Sequence, residues 1–277
     1  LIARRKDKSG EVAKCLSKPV RILSFDITDN QGVSDYVNLL ESEKANVKLL
    51  INNAGFGKLG LFYEISKEDN AGMIRLNCEA LTVMANVTLP FMSEGAEIIN
   101  TCSIASFAPN ARMAVYSSTK AFVMSFSRAL RAELKSRKIN CLAVCPGPME
   151  TEFLSLAGIE KGTSHTFDTL PRDNPKRVAE NSLKASQKGK AVFADHIFYK
   201  FYRVLSKILP SAKFASASRQ QGTTLPSESM PKWSPSPWQK TASPSSSRSA
   251  SGQSKRFPSS IWSLSLILAP RSLSCSK

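Results

Sequence analysis

The sequence predicts an α/β protein built on a doubly wound parallel sheet, and three features predict it. Short apolar runs rich in β-branched residues alternate with longer stretches of helical spacing over residues 1–195. Several of these runs are almost entirely apolar, as strands buried on both faces of a parallel sheet are. The runs end in polar or glycine-containing turns, and ligands bind where such turns gather at one edge of a sheet.

Five runs are predicted to be strands because each is short and apolar. They end near the following residues: Phe25, Ile51, Asn100, Val144 and Ala194. The run 47–51 is nearly all apolar, which is typical of a strand at the centre of a sheet.

Helical spacing of apolar residues predicts helices between these strands. Their expected ranges are 34–43, 67–92, 113–138, 174–187 and 197–209. The fourth has Pro175 in its first turn and Gly189 just beyond its end, which are the preferred positions of these residues. The last is amphipathic. Its pattern is compatible with a helix that closes the core, and equally with a lid or a membrane-surface contact.

The chain is expected to divide into three parts: a domain over 1–195, the amphipathic helix within 196–213, and a tail over 214–277. The tail contains 20 Ser and 7 Pro residues with eight Lys or Arg and one acid. A segment of this composition buries too little apolar surface to fold, so we predict a disordered tail. Its abrupt change in composition is also compatible with an out-of-frame product.

Charge and cysteine usage limit the partners and the compartment. The formal net charge is +16, but the clustered basic and aromatic face of nucleic-acid-binding proteins is absent from the sequence, so no nucleic acid partner is predicted. No apolar run reaches about 18 residues, and no membrane-spanning helix is predicted. The six scattered cysteines contain no C-x-x-C pair, which predicts no metal site and reduced thiols in the cytoplasm.

Two short motifs match known patterns but lack their context. Gly55, Gly57 and Gly60 match G-x-G-x-x-G, yet the next helix is expected only near Lys67, so the dinucleotide fingerprint is rejected. The S-x-x-K motif that ends at Lys120 lacks the S-D-N and K-T-G partners of serine enzymes. Serine hydrolysis is therefore not predicted.

A third group of residues is suited to acid–base chemistry. Tyr116 and Lys120 are four residues apart in a predicted helix and so lie on one face. A nearby ammonium is expected to lower the phenol pKa from its ordinary value near 10. Ser103 follows a predicted strand and is expected to reach the same carbonyl oxygen as Tyr116. Asn77 lies on the apolar stripe of the 67–92 helix, either serving this site or capping a helix kink.

The combination of these residues resembles the short-chain dehydrogenase/reductase family over about residues 1–195. The matching elements are, in chain order, Asn52-Asn53-Ala54-Gly55, Asn77, Ser103, Tyr116-x-x-x-Lys120, Pro146-Gly147 and Thr151. The resemblance implies a Rossmann-like fold and hydride transfer between a nicotinamide cofactor and a small carbonyl or alcohol. It also implies a homo-oligomer.

The resemblance assigns a role to each catalytic residue. Tyr116 is the general acid–base, and Lys120 lowers its pKa while holding the nicotinamide ribose. Ser103 orients the substrate carbonyl, and Asn77 supports a proton-relay water.

The resemblance also implies the cofactor contacts. The turn Asn53-Ala54-Gly55 lines the adenosine side and Asp26 contacts the adenine. Pro146, Gly147 and Thr151 contact the nicotinamide, together with Tyr116 and Lys120. Arg4 stands where an acid selects NAD, so it is expected to pair with the 2′-phosphate of NADP.

One feature of the family is not found in this sequence. The family opens with a strand and a T-G-x-x-x-G-x-G turn that cradles the cofactor pyrophosphate. We therefore expect a catalytic set without the phosphate-binding turn, and the alternative to an active oxidoreductase is an inactive fragment that acts at most as a binding module.

Overall fold

A computed structural model describes residues 1–16, 18–159 and 168–209, and the backbone of 265–268. Its sheet has five strands: β1 (Val47–Asn52), β2 (Met92–Thr101), β3 (Asn140–Val144), β4 (Val192–Phe193) and β5 (Ser265–Leu268). They lie in the order β4-β3-β2-β1-β5. The first four are parallel to one another, which confirms the predicted fold class.

The helices connect and cover the strands. They are α1 (Lys6–Lys14), α2 (Asn30–Ser42), α3 (Lys67–Ile74), α4 (Leu81–Thr88), α5 (Ala114–Glu133), α6 (Glu152–Leu156), α7 (Pro175–Gln187) and α8 (Ile197–Ile208). The side chains of Asp29, Ser66 and Asn174 each accept a hydrogen bond from a backbone N–H in the first turn of the helix that follows. These caps satisfy donors that the helix itself leaves unpaired, and they define where α2, α3 and α7 begin.

The two faces of the sheet are covered by different helices. Leu50 of β1 and Ile98 of β2 are paired in the register and pack with Met84 of α4 on one face. Their neighbours Leu49 and Ile99 point to the other face and pack in the cluster that contains α7. Because successive side chains of a strand alternate between faces, a run that is apolar at every position is buried on both sides.

The predicted strand at 20–25 is wrong as an extended element. Only one parallel bridge forms, between Leu23 and Ile2, with hydrogen bonds from Ala3 N to Leu23 O and from Leu23 N to Leu1 O. The partner segment is short because the chain turns into α1 at Lys6. The bridge nevertheless holds a core residue, since Ile2 is 1% exposed.

The predicted helix 67–92 is also interrupted. Between α3 and α4 the chain forms a π-helical turn, Arg75–Ala80, and Leu89–Phe91 is a 3₁₀ turn before β2 begins at Met92. A π turn carries an additional residue relative to an α turn and is frequent at functional sites.

Within the tail the structure describes only 265–268, and this segment is a strand that was not predicted. Ser265–Leu268 pairs antiparallel with β1, opposite Leu49–Asn52. The backbone N–H and C=O groups on that side of β1 require partners, and this segment supplies them. The other predictions for 210–264 and 269–277 lie outside the described residues.

Candidate active site

Buried asparagines tie the central strands together just below the site. Asn52 and Asn100 face each other in the register of β1 and β2, and Asn52 Nδ2 donates to Asn100 Oδ1 at 2.9 Å. Asn100 Nδ2 in turn donates to Ser127 Oγ of α5 at 2.9 Å. Because buried amides are costly unless paired, this chain holds the strand ends and α5 in one arrangement.

The two hydroxyls predicted to act on a carbonyl are together. Ser103 lies two residues beyond the end of β2, and Tyr116 lies in the first turn of α5. Both line the same cavity, and the Ser103 hydroxyl is near enough to the Tyr116 phenol to favour its ionised form. Both side chains are buried. The Tyr116 ring packs against Phe153, with ring centroids 5.7 Å apart.

Lys120 lies one turn along α5 from Tyr116 and is 4% exposed. Its Nζ donates to Thr101 O at 2.8 Å and lies 5.8 Å from the centroid of the Tyr116 ring. Burial lowers the pKa of Lys120. Burial also raises the pKa of Tyr116, with the Ser103 hydrogen bond as an opposing and smaller influence. The expectation of a lowered phenol pKa is therefore wrong for the protein without ligand, because burial is the largest influence on the phenol and raises its pKa.

Asn77 lies in the π turn and is 1% exposed. Its Oδ1 accepts from Phe56 N at 3.0 Å, and its Nδ2 donates to Phe56 O at 2.8 Å and to Thr119 Oγ1 at 3.0 Å. The side chain thus joins the turn after β1 to α5 and is not a helix cap. It supports the wall of the site from below.

The glycine turn after β1 allows this close packing. A Cβ at Gly55 would lie 2.9 Å from Asn77 Oδ1 and 3.4 Å from Lys120 Nζ. A Cβ at Gly57 would lie 2.7 Å from the Tyr116 ring. The glycines of the rejected fingerprint motif therefore serve the packing of the catalytic candidates. The helix that follows begins at Lys67, as the sequence predicts.

The turn after β3 is held from two sides. Gly147 N donates to Asp173 Oδ2 at 2.7 Å, and the buried ring of Tyr199 covers Gly147. The Tyr199 hydroxyl donates to Pro171 O at 2.5 Å. Burial raises the pKa of Asp173, and the hydrogen bond from Gly147 opposes that shift.

We expect Gly147→Ala to destabilise the protein by about 1–3 kcal/mol, the usual cost of overpacking. A Cβ at this position would lie 2.2 Å from the Tyr199 ring, which is fully buried and cannot move aside freely. Thermal unfolding measures the effect. Gly10→Ala in α1 is the control, since nothing lies within 4 Å of its Cβ and alanine favours a helix. Equal melting temperatures for the two variants would contradict this packing.

A cavity of about 700 Å³ opens between the ends of these strands. Eight predicted site residues line it: Asn53, Gly55, Ser103, Tyr116, Lys120, Pro146, Gly147 and Thr151. Ala54 and Asn77 are buried behind the wall. Further walls come from α6 and α8, through Phe153, Leu154, Phe198, Tyr199 and Tyr202.

Arg4 and Asp26 are not in the cavity wall, but they lie together. Arg4 Nη1 is 3.3 Å from Asp26 Oδ2, and Asp26 Oδ1 accepts from the N–H and hydroxyl of Thr28. The adjacent Arg5 contacts Glu152, which does line the cavity. The two predicted adenosine contacts therefore share one edge of the fold near the cavity rim.

The sequence analysis missed two residues that shape the site. Asp173 directly precedes the cap of α7, where an acidic residue is common. Nothing in the neighbouring sequence therefore indicates its bond to Gly147. Tyr199 reads as one of several aromatic residues of an amphipathic helix. Asp173 contacts the Pro146-Gly147 turn just before α7 begins, and Tyr199 reaches it only after α7 and β4.

A parallel α/β sheet with a cavity at the carboxyl ends of its strands is the architecture of dinucleotide-binding enzymes. The profile of the short chain dehydrogenase family matches residues 1–160, and this chain belongs to that family. The family predicted from the sequence and its oxidoreductase class are thereby confirmed.

Individual proteins and solved structures are also similar to this chain. A probable NADP-dependent dehydrogenase of Haemophilus influenzae is 33% identical over 201 residues, which are 70% of this chain and 79% of the relative. Sulfoacetaldehyde reductase 2 of Chromohalobacter salexigens is 32% identical over 188 residues, or 65% and 73% of the two chains. The closed form of a serine dehydrogenase complexed with NADP⁺ superimposes with a TM-score of 0.62 at 27% identity, covering 70% of this chain and 82% of that chain.

Proposed function

We propose that this protein transfers a hydride between NADP(H) and a carbonyl or alcohol substrate. The observation that carries the proposal is the cluster of Ser103, Tyr116 and Lys120, buried together at a large cavity with Lys120 one helical turn from Tyr116. Relatives named as NADP-dependent dehydrogenase and NADP-dependent 3-hydroxy acid dehydrogenase support the cofactor.

The residues that line the cavity fit the nicotinamide half of such a cofactor, whereas the family's pyrophosphate-cradling turn is not found in this sequence. The cavity is continuous from Asn53 and Gly55 to Gly147 and Thr151, which are the predicted contacts on either side of the cofactor. Its volume of about 700 Å³ lies within the usual range of small-molecule sites. When bound, the reduced nicotinamide supplies the hydride.

The chain's own residues bind the substrate oxygen and move its proton. The Ser103 and Tyr116 hydroxyls lie near each other at the cavity, so a carbonyl oxygen placed between them would accept from both. Tyr116 then donates its proton to the oxygen as negative charge develops there. The buried ammonium of Lys120 stabilises the phenolate left behind. Asn77 and Asp173 position the two turns that form the walls.

The raised pKa of Tyr116 bears on its role as a proton donor. Because burial favours the neutral phenol, Tyr116 carries its proton at neutral pH. A protonated phenol is the acid that carbonyl reduction requires, so Tyr116 is poised to act as the acid when the substrate is a carbonyl.

Cofactor choice tests the proposal. We expect consumption of reduced cofactor with a panel of aldehydes and ketones to be faster with NADPH than with NADH. Arg4→Ala should lower kcat/KM for NADPH by about tenfold or more, because charge-assisted contacts to the 2′-phosphate are lost, and leave the value for NADH unchanged.

Lys6→Ala is the control, since it removes an exposed positive charge two residues further along. It should leave the NADPH preference intact. A preference for NADH in the wild type, or an unchanged preference in Arg4→Ala, would contradict the assignment to Arg4. No turnover with either cofactor over the panel would contradict the proposed reaction and support the binding-module alternative. The homo-oligomer and the cytoplasmic location stay predictions.

A further inference from the structure

Helix α8 presents an apolar strip to solvent. The strip consists of Ile197, Phe201, Val204 and Ile208, which are 72%, 65%, 56% and 74% exposed. Their spacing of four, three and four residues places them on one line along the helix. Exposed apolar residues that occur singly need no explanation, but a continuous line of large ones marks an interaction surface.

The opposite side of α8 is fixed to the protein. Tyr199 is fully buried against Gly147, and its hydroxyl is bonded to Pro171 O. Tyr202 lines the cavity and packs on Phe107, with ring centroids 5.9 Å apart. The apolar strip is therefore held outward by packing on the inner side.

A row of bases runs beside the strip. Lys200, Arg203 and Lys207 repeat at intervals of three and four residues, and Lys200 and Lys207 are exposed. The sequence of α8 contains no acid. An apolar line with a purely basic flank is the pattern of helices that lie in the plane of an anionic membrane surface.

We propose that α8 binds the surface of an anionic bilayer, with the apolar strip in the acyl boundary and the basic row at the headgroups. No helix among the described residues is long and apolar enough to cross a membrane, so the contact is interfacial.

A second copy of the chain fits this surface less well. Four apolar side chains are few compared with the roughly 20–30 residues that each partner contributes to a standard protein interface. Pairing two such strips about a two-fold axis also brings two basic rows together with no acid on either helix. A bilayer of negative headgroups instead complements the whole row.

The test is co-sedimentation of the full chain with vesicles of phosphatidylcholine containing phosphatidylglycerol, and with vesicles of phosphatidylcholine alone. We expect binding to the anionic vesicles that weakens with added salt. The double variant Phe201→Ser with Ile208→Ser should lower the partition coefficient by about tenfold or more, since both side chains leave water on binding. Lys200→Glu with Lys207→Glu should abolish the difference between the two vesicle types.

Matched controls separate α8 from the rest of this basic chain. Phe62→Ser with Ile74→Ser changes the same residue types at sites that are 62% and 53% exposed, and Lys67→Glu changes an exposed lysine elsewhere. Both should bind as the wild type does. The basic tail is identical in all of these variants.

Binding that survives both α8 double variants would overturn the proposal and place the lipid contact elsewhere. Concentration-dependent self-association that Phe201→Ser with Ile208→Ser abolishes, without any vesicle binding by the wild type, would overturn it in favour of a second copy. Neither readout depends on the proposed hydride transfer.

Discussion

We expect Tyr116→Phe to lower kcat by about 10²–10⁴-fold, which is the usual contribution of a positioned acid or base to proton transfer. The substitution removes the phenol oxygen near Ser103 and leaves the ring in its contact with Phe153. Substrate then keeps one hydroxyl partner and loses the proton donor. Cofactor affinity should stay close to that of the wild type. Steady-state consumption of NADPH gives kcat, and titration with NADPH gives the affinity.

Tyr36→Phe is a control matched in burial. Tyr36 is also buried, burial raises its pKa to about 12, and its hydroxyl is 3.0 Å from Thr88 Oγ1, away from the cavity. This variant should lose about 1 kcal/mol of stability with its hydrogen bond and keep its kcat. Wild-type turnover in Tyr116→Phe, or an equal loss in both variants, would show that the phenol oxygen is not the proton donor.

Lys120→Met should lower kcat/KM by about 100-fold or more, the cost typical of removing a charge-stabilising donor from an active site. Methionine fills a similar volume but cannot stabilise a phenolate or hold a ribose hydroxyl. We expect the free energy of unfolding to change by no more than about 1 kcal/mol, because loss of the bond to Thr101 O is offset by relief of a buried charge. Lys120→Arg keeps the charge and should recover part of the activity.

The pH dependence of the free energy of unfolding tests whether Lys120 is a buried charge. Burial lowers the pKa of Lys120 in the folded protein below its ordinary value of 10.5. Between these two values the unfolded chain binds more protons, so the free energy of unfolding of the wild type rises with pH. Lys120→Met lacks this contribution. Parallel pH profiles for the two proteins, measured by denaturant unfolding, would contradict a depressed Lys120 pKa.

The central strands were predictable because one physical condition determines them. A strand buried on both faces is expected to be almost entirely apolar, and 47–51 meets that condition in the printed sequence at every position except Lys48. The run 20–25 is apolar only in part, and its partner segment is short, so it forms a single bridge. Four residues of the tail pair with β1 through backbone groups, which composition does not encode.

Some features of the candidate site could likewise be predicted from the sequence, and others could not. Tyr116 and Lys120 could be paired from the sequence because they share one face of α5. Ser103 could be placed near them because it lies just beyond the end of β2, where the turns of the sheet gather. The pKa of Tyr116 was predicted with the wrong sign, since the sequence shows a neighbouring lysine but not the burial that outweighs it. Asp173 reaches Gly147 across 26 positions, a contact that depends on the tertiary path of the chain.

The π turn at Arg75–Ala80 makes the helix before β2 sensitive to its length. One residue of an α-helix corresponds to a rotation of about 100°. Deleting one residue from this turn would restore a regular helix and rotate Asn77 relative to the buried side chains of α4, such as Met84. A substitution at Asn77 changes the chemistry at a fixed position. A deletion instead changes the rotation of α3 relative to α4 about the helix axis. At this point a change in chain length carries a larger structural effect than a change in residue type.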